Sequence, residues 1–208
     1  MSGEDRPPGG DLVRLAFGGN LAVKRDYLGD SYDAVKRLWR QLLADWAPLY
    51  AEPRFLPEGL REDFARLTGI PVLPDQRPAR YSILNDPDTG IRLPGEENQA
   101  EGRTHIAIAS IVAQLRAQGL RCVVTFDQSN YRHSGLRHDR QRRAKVRALW
   151  KSGFPAFYYV SHAPFLFAFP TIEALAELEN LLVNAGIPAD RFERGHRQTA
   201  TSYEVGTI

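Results

Sequence analysis

Apolar side chains recur at the spacing of an amphipathic helix in the segment that follows Asp30. Asp30 or Ser31 is a suitable N-cap, and Pro48 ends the segment. The apolar positions of this predicted helix are Val35, Leu38, Trp39, Leu42, Leu43 and Trp46, and its polar side carries Lys36, Arg37, Arg40 and Gln41. The same spacing predicts further helices over residues 57–68, 104–118, 137–152 and 171–185, with Thr104 and Thr171 as N-caps.

Continuous apolar runs between these helices predict strands over residues 81–85, 121–126, 156–160 and 165–169. Helices alternate with the first three strands, an order that is typical of parallel sheets. The linker between the last two strands is short, so these two should form an antiparallel hairpin at the sheet edge. The predicted fold is therefore α/β: a three-layer, Rossmann-like, mainly parallel sheet with a C-terminal antiparallel hairpin.

The 208 residues are 43% hydrophobic and 25% charged, which fits one globular domain. We predict a disordered lead-in over 1–10, a single α/β domain over 11–190 and a polar tail over 191–208. Cys122 is the only cysteine, so no internal disulfide can form and a reducing compartment is favoured. Because no apolar run approaches the roughly 20 residues that span a bilayer, we expect a cytoplasmic protein without a membrane segment.

Acidic side chains follow two of the predicted strands. Asp86 and Asp88 come directly after residues 81–85, and Asp127 comes after 121–126. Because ligands of parallel sheets bind at the carboxyl ends of strands, these acids could converge on Mg²⁺ or Mn²⁺ and act in catalysis. His105, at the start of the next predicted helix, could complete the site. The alternative is that Asp-Pro-Asp-Thr-Gly serves only as a turn.

The segment from Arg132 to Lys151 is strongly basic, with six Arg and two Lys against the single acid Asp139. On a helical wheel, four of its cations form one narrow stripe: Arg140, Arg143, Arg147 and Lys151. Such a stripe is typical of a surface that binds a phosphate backbone, and Arg132 could also contact the substrate. The alternative is a solvated helix face.

Three motifs carry a resemblance to known proteins: GDSYDAVK at 29–36, NDPDTGI at 85–91 and FDQ at 126–128. Together they resemble a set of uncharacterised bacterial proteins with GDxxDxxK and DPD[NT]G patterns, over residues 28–185. The order from Tyr81 onward is similar to the second half of Rossmann-like methyltransferases, in which an Asp-Pro-Pro-Tyr-type loop would correspond to residues 86–89. That resemblance implies S-adenosylmethionine binding near Gly18, Gly19 and Asp86. The second Pro and the aromatic residue are absent here.

The loop at residues 86–90 is also similar to the metal-binding Asp-x-Asp loop of Toprim nucleases and topoisomerases, although no Glu-Gly strand precedes it. Three functions follow as hypotheses. The first is a hydrolase, a nuclease or phosphodiesterase that depends on Mg²⁺ or Mn²⁺ and acts on nucleic acid. The second is a nucleic-acid methyltransferase-like protein that binds S-adenosylmethionine, in an active or degenerate form. The third is a non-enzymatic subunit that binds nucleic acid or a protein partner.

Overall fold

The computed structural model describes residues 28–92, 104–128 and 137–195. Its strands, in chain order, are β1 (Leu49–Ala51), β2 (Tyr81–Asn85), β3 (Gly90–Ile91), β4 (His105–Ile106), β5 (Leu120–Phe126), β6 (Ala156–Tyr159), β7 (Phe165–Ala168) and β8 (Phe192–Arg194). Its α-helices are α1 (Ser31–Leu43), α2 (Arg61–Thr68), α3 (Ile108–Leu115), α4 (His138–Lys151) and α5 (Ile172–Asn184).

Six strands form one sheet in the order β1-β2-β5-β7-β6-β8, and β3 pairs with β4 in a separate parallel pair. The β1-β2 and β2-β5 pairs are parallel, while β5-β7, β7-β6 and β6-β8 are antiparallel. Four strands, β1, β2, β5 and β6, therefore run in one direction. This confirms the prediction of an α/β fold with a mainly parallel sheet, an arrangement compatible with a Rossmann-like fold.

Helices flank this sheet, and consecutive strand residues contribute to two different cores. Leu84 and Val124 pack with side chains of α1, α2 and α5. Their neighbours Ile83 and Val123 pack with side chains of α3 and α4. Because side chains alternate between the two faces of a strand, the two cores lie on opposite faces of the sheet. No helix in the described ranges is long and apolar enough to cross a membrane.

Several elements differ from the prediction. The reversed strand β7 lies between β5 and β6 rather than at the edge, and the edge strand is β8, within the segment predicted as a polar tail. The short edge strand β1 was not predicted. The helix expected to begin at Thr104 begins at Ile108, with Ala107 as its N-cap, and His105 belongs to β4. The lead-in, the segment around Gly18 and the end of the tail lie outside the described residues.

Candidate functional site at the carboxyl edge of the sheet

The amino end of α1 lies at the carboxyl edge of the sheet and is held by its own acids. The Asp30 carboxylate accepts hydrogen bonds from the backbone N–H groups of Tyr32 (2.8 Å) and Asp33 (3.2 Å), as an N-cap does. Asp33 in turn accepts the Gly29 N–H through Oδ2 at 2.7 Å. These bonds fix the Asp33 side chain and direct its other oxygen, Oδ1, towards Lys36, which is one helical turn away.

Lys36 joins two of the sequence motifs in one buried cluster. Its Nζ lies 2.9 Å from Asp33 Oδ1 and 2.7 Å from Asp86 Oδ2. All three residues are less than 9% exposed, and the ammonium also lies 5.6 Å from the ring centroids of both Phe64 and Phe126. The sequence placed Lys36 on the polar side of α1; in the structure two carboxylates and two aromatic rings bury it.

The cluster holds two carboxylates and one ammonium, and burial competes with their pairing in setting the pKa values of Lys36 and Asp86. Burial alone would lower the pKa of Lys36, but Asp86 and Asp33 outweigh it and raise that pKa, so Lys36 stays charged. Burial raises the pKa of Asp86 above its usual value, and Lys36 offsets this only in part. Asp86 therefore takes up a proton at a higher pH than an ordinary aspartate does.

Asp127, at the end of β5, is the centre of a second buried cluster. Its Oδ2 accepts hydrogen bonds from Lys145 Nζ at 2.7 Å and from the Tyr158 hydroxyl at 2.6 Å, and its Oδ1 accepts the Ile91 N–H at 3.0 Å. The Asp127 side chain is 0% exposed and that of Lys145 is 1% exposed. Burial raises the pKa of Asp127, but Lys145, Tyr158 and Ile91 together outweigh burial and lower it. Burial and Asp127 raise the pKa of Tyr158 well above its usual value.

The glycine of the Asp-Pro-Asp-Thr-Gly loop has a specific steric role. Gly90 has a φ of +97°, and a Cβ added to it would lie 2.2 Å from Asp127 Oδ1. Only glycine lets the loop approach that carboxylate closely enough for Ile91 to donate its N–H. The preceding residue, Thr89, donates its backbone N–H to the Thr104 carbonyl at 2.9 Å. The loop at 86–90 is thus fixed against both β4 and the end of β5.

His105 lies close enough to the Asp127 cluster for its pKa to respond to that cluster. Partial burial lowers the pKa of His105, as do Arg92 and Lys145, and the opposing effect of Asp127 and Asp88 is smaller. The imidazole is therefore neutral at pH 7, a state in which one ring nitrogen can accept a proton. Asp88 and Asp127 are thus close enough to His105 to influence its pKa.

A polar network links the carboxyl ends of the three neighbouring parallel strands. Asn85, the last residue of β2, donates through Nδ2 to Thr125 of β5 at 3.2 Å and to Gln114 Oε1 at 2.8 Å. Gln114 donates through Nε2 to Asn85 Oδ1 at 3.0 Å and to Glu52, which follows β1, at 3.2 Å. Sequence analysis did not predict this network because its partners come from distant segments and Gln114, within a helix, belongs to no motif.

The basic stripe predicted on α4 is exposed in the structure. All four of its members are exposed: Arg140, Arg143, Arg147 and Lys151. On the same helix, Lys145, Val146 and Leu149 face the core. Arg143 contacts Glu193 at 2.9 Å, and Arg142, which is largely buried beside the stripe, contacts the same carboxylate at 2.7 Å. Glu193 therefore offsets part of the positive charge at the middle of the stripe.

Asp127 and Asp86, two of the residues expected to bind a divalent metal, have protein partners at this edge. Lys145, Tyr158 and Ile91 already occupy the Asp127 oxygens, and Lys36 occupies one oxygen of Asp86. Within residues 28–92, 104–128 and 137–195 no group of three or more His, Cys, Asp or Glu side chains could hold a metal ion. A metal role for Asp86, Asp88 and Asp127 stays a prediction.

The predicted substrate contact Arg132 lies outside the described residues. No protein-family model, curated protein or solved structure matches this chain.

Proposed function

We propose that this protein binds nucleic acid and that the exposed stripe of α4, Arg140, Arg143, Arg147 and Lys151, contacts the phosphate backbone. The observation that carries the proposal is the exposure of all four cations on one side of a helix with a single acid, Asp139. From the first to the last cation the stripe extends about 16 Å at the rise of an α-helix, long enough to contact several phosphates.

The position of α4 relates this helix to the carboxyl edge. Lys145 extends from the buried side of α4 to Asp127, so the helix is held at the end of β5 by a buried ion pair. The stripe lies on the opposite, exposed side of α4. The end of β5 belongs to the edge at which ligands of parallel α/β sheets generally bind.

Two charge-reversal variants test the proposal. Arg140→Glu/Arg147→Glu should weaken binding of a fluorescein-labelled oligonucleotide by about tenfold or more, measured by fluorescence anisotropy. The matched control is Arg37→Glu/Arg116→Glu, which changes two exposed arginines on α1 and at the end of α3 and alters the net charge by the same amount. Equal effects of the two variants would overturn the assignment to α4.

The first function expected from the sequence is phosphodiester hydrolysis. In addition to binding of nucleic acid by α4, the aspartates at the carboxyl edge and His105 would catalyse this reaction. Neutral His105 could accept a proton from an attacking water. Among the described residues, no group of carboxylates forms a shared metal site. Incubating DNA and RNA with the protein in Mg²⁺ or Mn²⁺ tests this chemistry, and loss of cleavage in Asp86→Asn would support it.

One observation favours a methyltransferase-like relationship as a second candidate. The sheet order β2-β5-β7-β6, with β7 reversed between two strands of common direction, is compatible with the second half of a three-layer Rossmann-like methyltransferase. The strand on the other side of β2 is β1, which Glu52 and Pro53 follow rather than a glycine loop. A calorimetric titration with S-adenosylmethionine decides this candidate, and absence of heat would remove it.

A further inference from the structure

Glu193 brings a carboxylate from the last strand of the sheet to the middle of the basic stripe. Its Oε1 accepts a hydrogen bond from Arg143 Nε at 2.9 Å, and its Oε2 accepts one from Arg142 Nε at 2.7 Å. The side chains of Glu193 and Arg142 are 17% and 15% exposed, whereas that of Arg143 is 50% exposed. One largely buried carboxylate therefore connects a largely buried arginine to an exposed member of the stripe.

The strand β8 holds this carboxylate in place. It pairs with β6, and its side chains alternate between the two faces of the sheet. Phe192 packs on Phe157 in the core that α5 covers, and Arg194 on the same face donates to Glu179 of α5 at 2.8 Å. Glu193, between these two residues, extends to α4. The strand is thus attached to a neighbouring strand and to helices on both faces.

A phosphate that approaches Arg143 meets a negative charge that is already fixed beside it. Carboxylate and phosphate oxygens accept hydrogen bonds from the same guanidinium donors, so the two anions compete for Arg143. An ion pair between two flexible, exposed side chains gives way easily, because it stabilises little. Glu193 differs from such a partner because Arg142 and the pairing of β8 hold it in position. A phosphate at Arg143 would also be repelled by the adjacent like charge.

We infer that Glu193 is an intramolecular competitor of the phosphate backbone for Arg143 and thereby limits how tightly the stripe binds nucleic acid. The inference rests on the proposed binding of nucleic acid by α4 and adds a restraint on that binding. In the wild-type protein Arg143 contributes less to binding than Arg140 or Arg147, although all three belong to one stripe. Removing the charge of Glu193 makes the Arg143 guanidinium available to a phosphate.

Glu193→Gln tests this, because it keeps the size of the side chain and removes its charge. A fluorescein-labelled single-stranded oligonucleotide should bind about fivefold more tightly in about 0.1 M salt, the effect of one further phosphate contact measured by fluorescence anisotropy. The slope of log affinity against log salt concentration should increase in magnitude by about 0.7. The matched control is Glu179→Gln, which removes one negative charge on the opposite face of the sheet and should change neither value.

Arg143→Ala shows whether the gain depends on Arg143. In the Glu193→Gln background it should remove the gain. In the otherwise wild-type protein it should leave the salt slope nearly unchanged, whereas Arg140→Ala should lower the magnitude of that slope by about 0.7. This last comparison leaves Glu193 intact, so it holds even where Glu193→Gln fails to fold. Equal effects of Arg143→Ala and Arg140→Ala would overturn the competition.

Two further outcomes separate this inference from the proposed function. If Arg140→Glu/Arg147→Glu weakens binding but Glu193→Gln binds no more tightly than the wild type, the role of Glu193 is overturned and binding by α4 stands. If the wild-type protein does not bind the oligonucleotide, or if Arg140→Glu/Arg147→Glu binds it as well as the wild type does, the proposed function is overturned and the role of Glu193 with it.

Discussion

Lys145 Nζ lies 2.7 Å from Asp127 Oδ2, with both side chains almost completely removed from solvent. The pair joins the centre of α4 to the carboxyl end of β5. Two uncharged donors, the Tyr158 hydroxyl and the Ile91 N–H, satisfy the same carboxylate. Removing one partner leaves the other charge buried and unpaired. The free-energy cost of this unpaired charge is much larger than the net stabilisation that the intact pair provides over two apolar side chains.

We therefore expect Lys145→Met and Asp127→Asn each to lower the free energy of unfolding by about 3–5 kcal/mol. The double variant should lose less than the sum of the two, because neither charge is then left alone. Urea denaturation of the four proteins measures this coupling. Strict additivity would show that the two side chains do not interact in solution.

The same pair gives a pH dependence with a defined sign. The pKa of Asp127 is lowered in the folded protein, so its contribution to stability is present above the unfolded-state pKa of about 3.9 and is lost as the pH falls through the folded value. The difference in unfolding free energy between the wild type and Asp127→Asn should be constant from pH 5 to 7, to within about 0.5 kcal/mol, and shrink below about pH 4. A difference that grows on acidification would contradict the lowered pKa.

Gly90→Ala should destabilise the protein more than an alanine at another glycine of positive φ. At Gly90 the added Cβ would meet Asp127 Oδ1, whereas at Gly153, with a φ of +87°, it would meet nothing within 4 Å. Gly153→Ala should then cost only the backbone strain of about 1–2 kcal/mol, and Gly90→Ala should cost clearly more. Thermal unfolding of both variants measures this, and equal losses would show that the close approach to Asp127 is unimportant.

Removing the charge of Asp86 should lower the free energy of unfolding much less than removing the charge of Asp127. In Asp86→Asn, Lys36 keeps Asp33 at 2.9 Å, so we expect a change below about 1 kcal/mol at pH 7. Lys36→Met leaves Asp33 and Asp86 buried without a cation and should cost about 3–5 kcal/mol. Urea denaturation of both variants tests this asymmetry. A loss in Asp86→Asn as large as that in Asp127→Asn would contradict it.

The raised pKa of Asp86 has the opposite consequence for stability from the lowered pKa of Asp127. The contribution of Asp86 is present below the unfolded-state pKa and is lost as the pH rises through its folded value. The wild type should therefore lose stability relative to Asp86→Asn as the pH rises above about 4. A relative gain over the same interval would show that Lys36 outweighs burial at Asp86.

Periodicity predicted the elements that carry their own apolar pattern, including α1, α4, β2 and β5. It did not predict β1 or β8, because each has three residues and is held by pairing with a neighbouring strand. The placement of β7 between β5 and β6 depends in the same way on contacts between segments distant in sequence. A local pattern does not contain that information.

At the site, the sequence correctly placed Asp86 and Asp127 after strands, but it did not reveal which cations face them. Lys36 fits the polar side of α1, and Lys145 belongs to the basic segment from Arg132 to Lys151. Each lysine is buried because a carboxylate from a distant part of the chain lies opposite it. Spacing along one helix cannot indicate such a partner.

The salt dependence of single-stranded oligonucleotide binding tests the role of α4 most directly. Each cation that contacts a phosphate adds about 0.7 to the slope of log affinity against log salt concentration for a single strand. For Arg140→Ala/Arg147→Ala we predict a slope about 1.4 smaller in magnitude than that of the wild type, and for Arg37→Ala/Arg116→Ala an unchanged slope. Identical slopes for the wild type and Arg140→Ala/Arg147→Ala would contradict phosphate binding by α4.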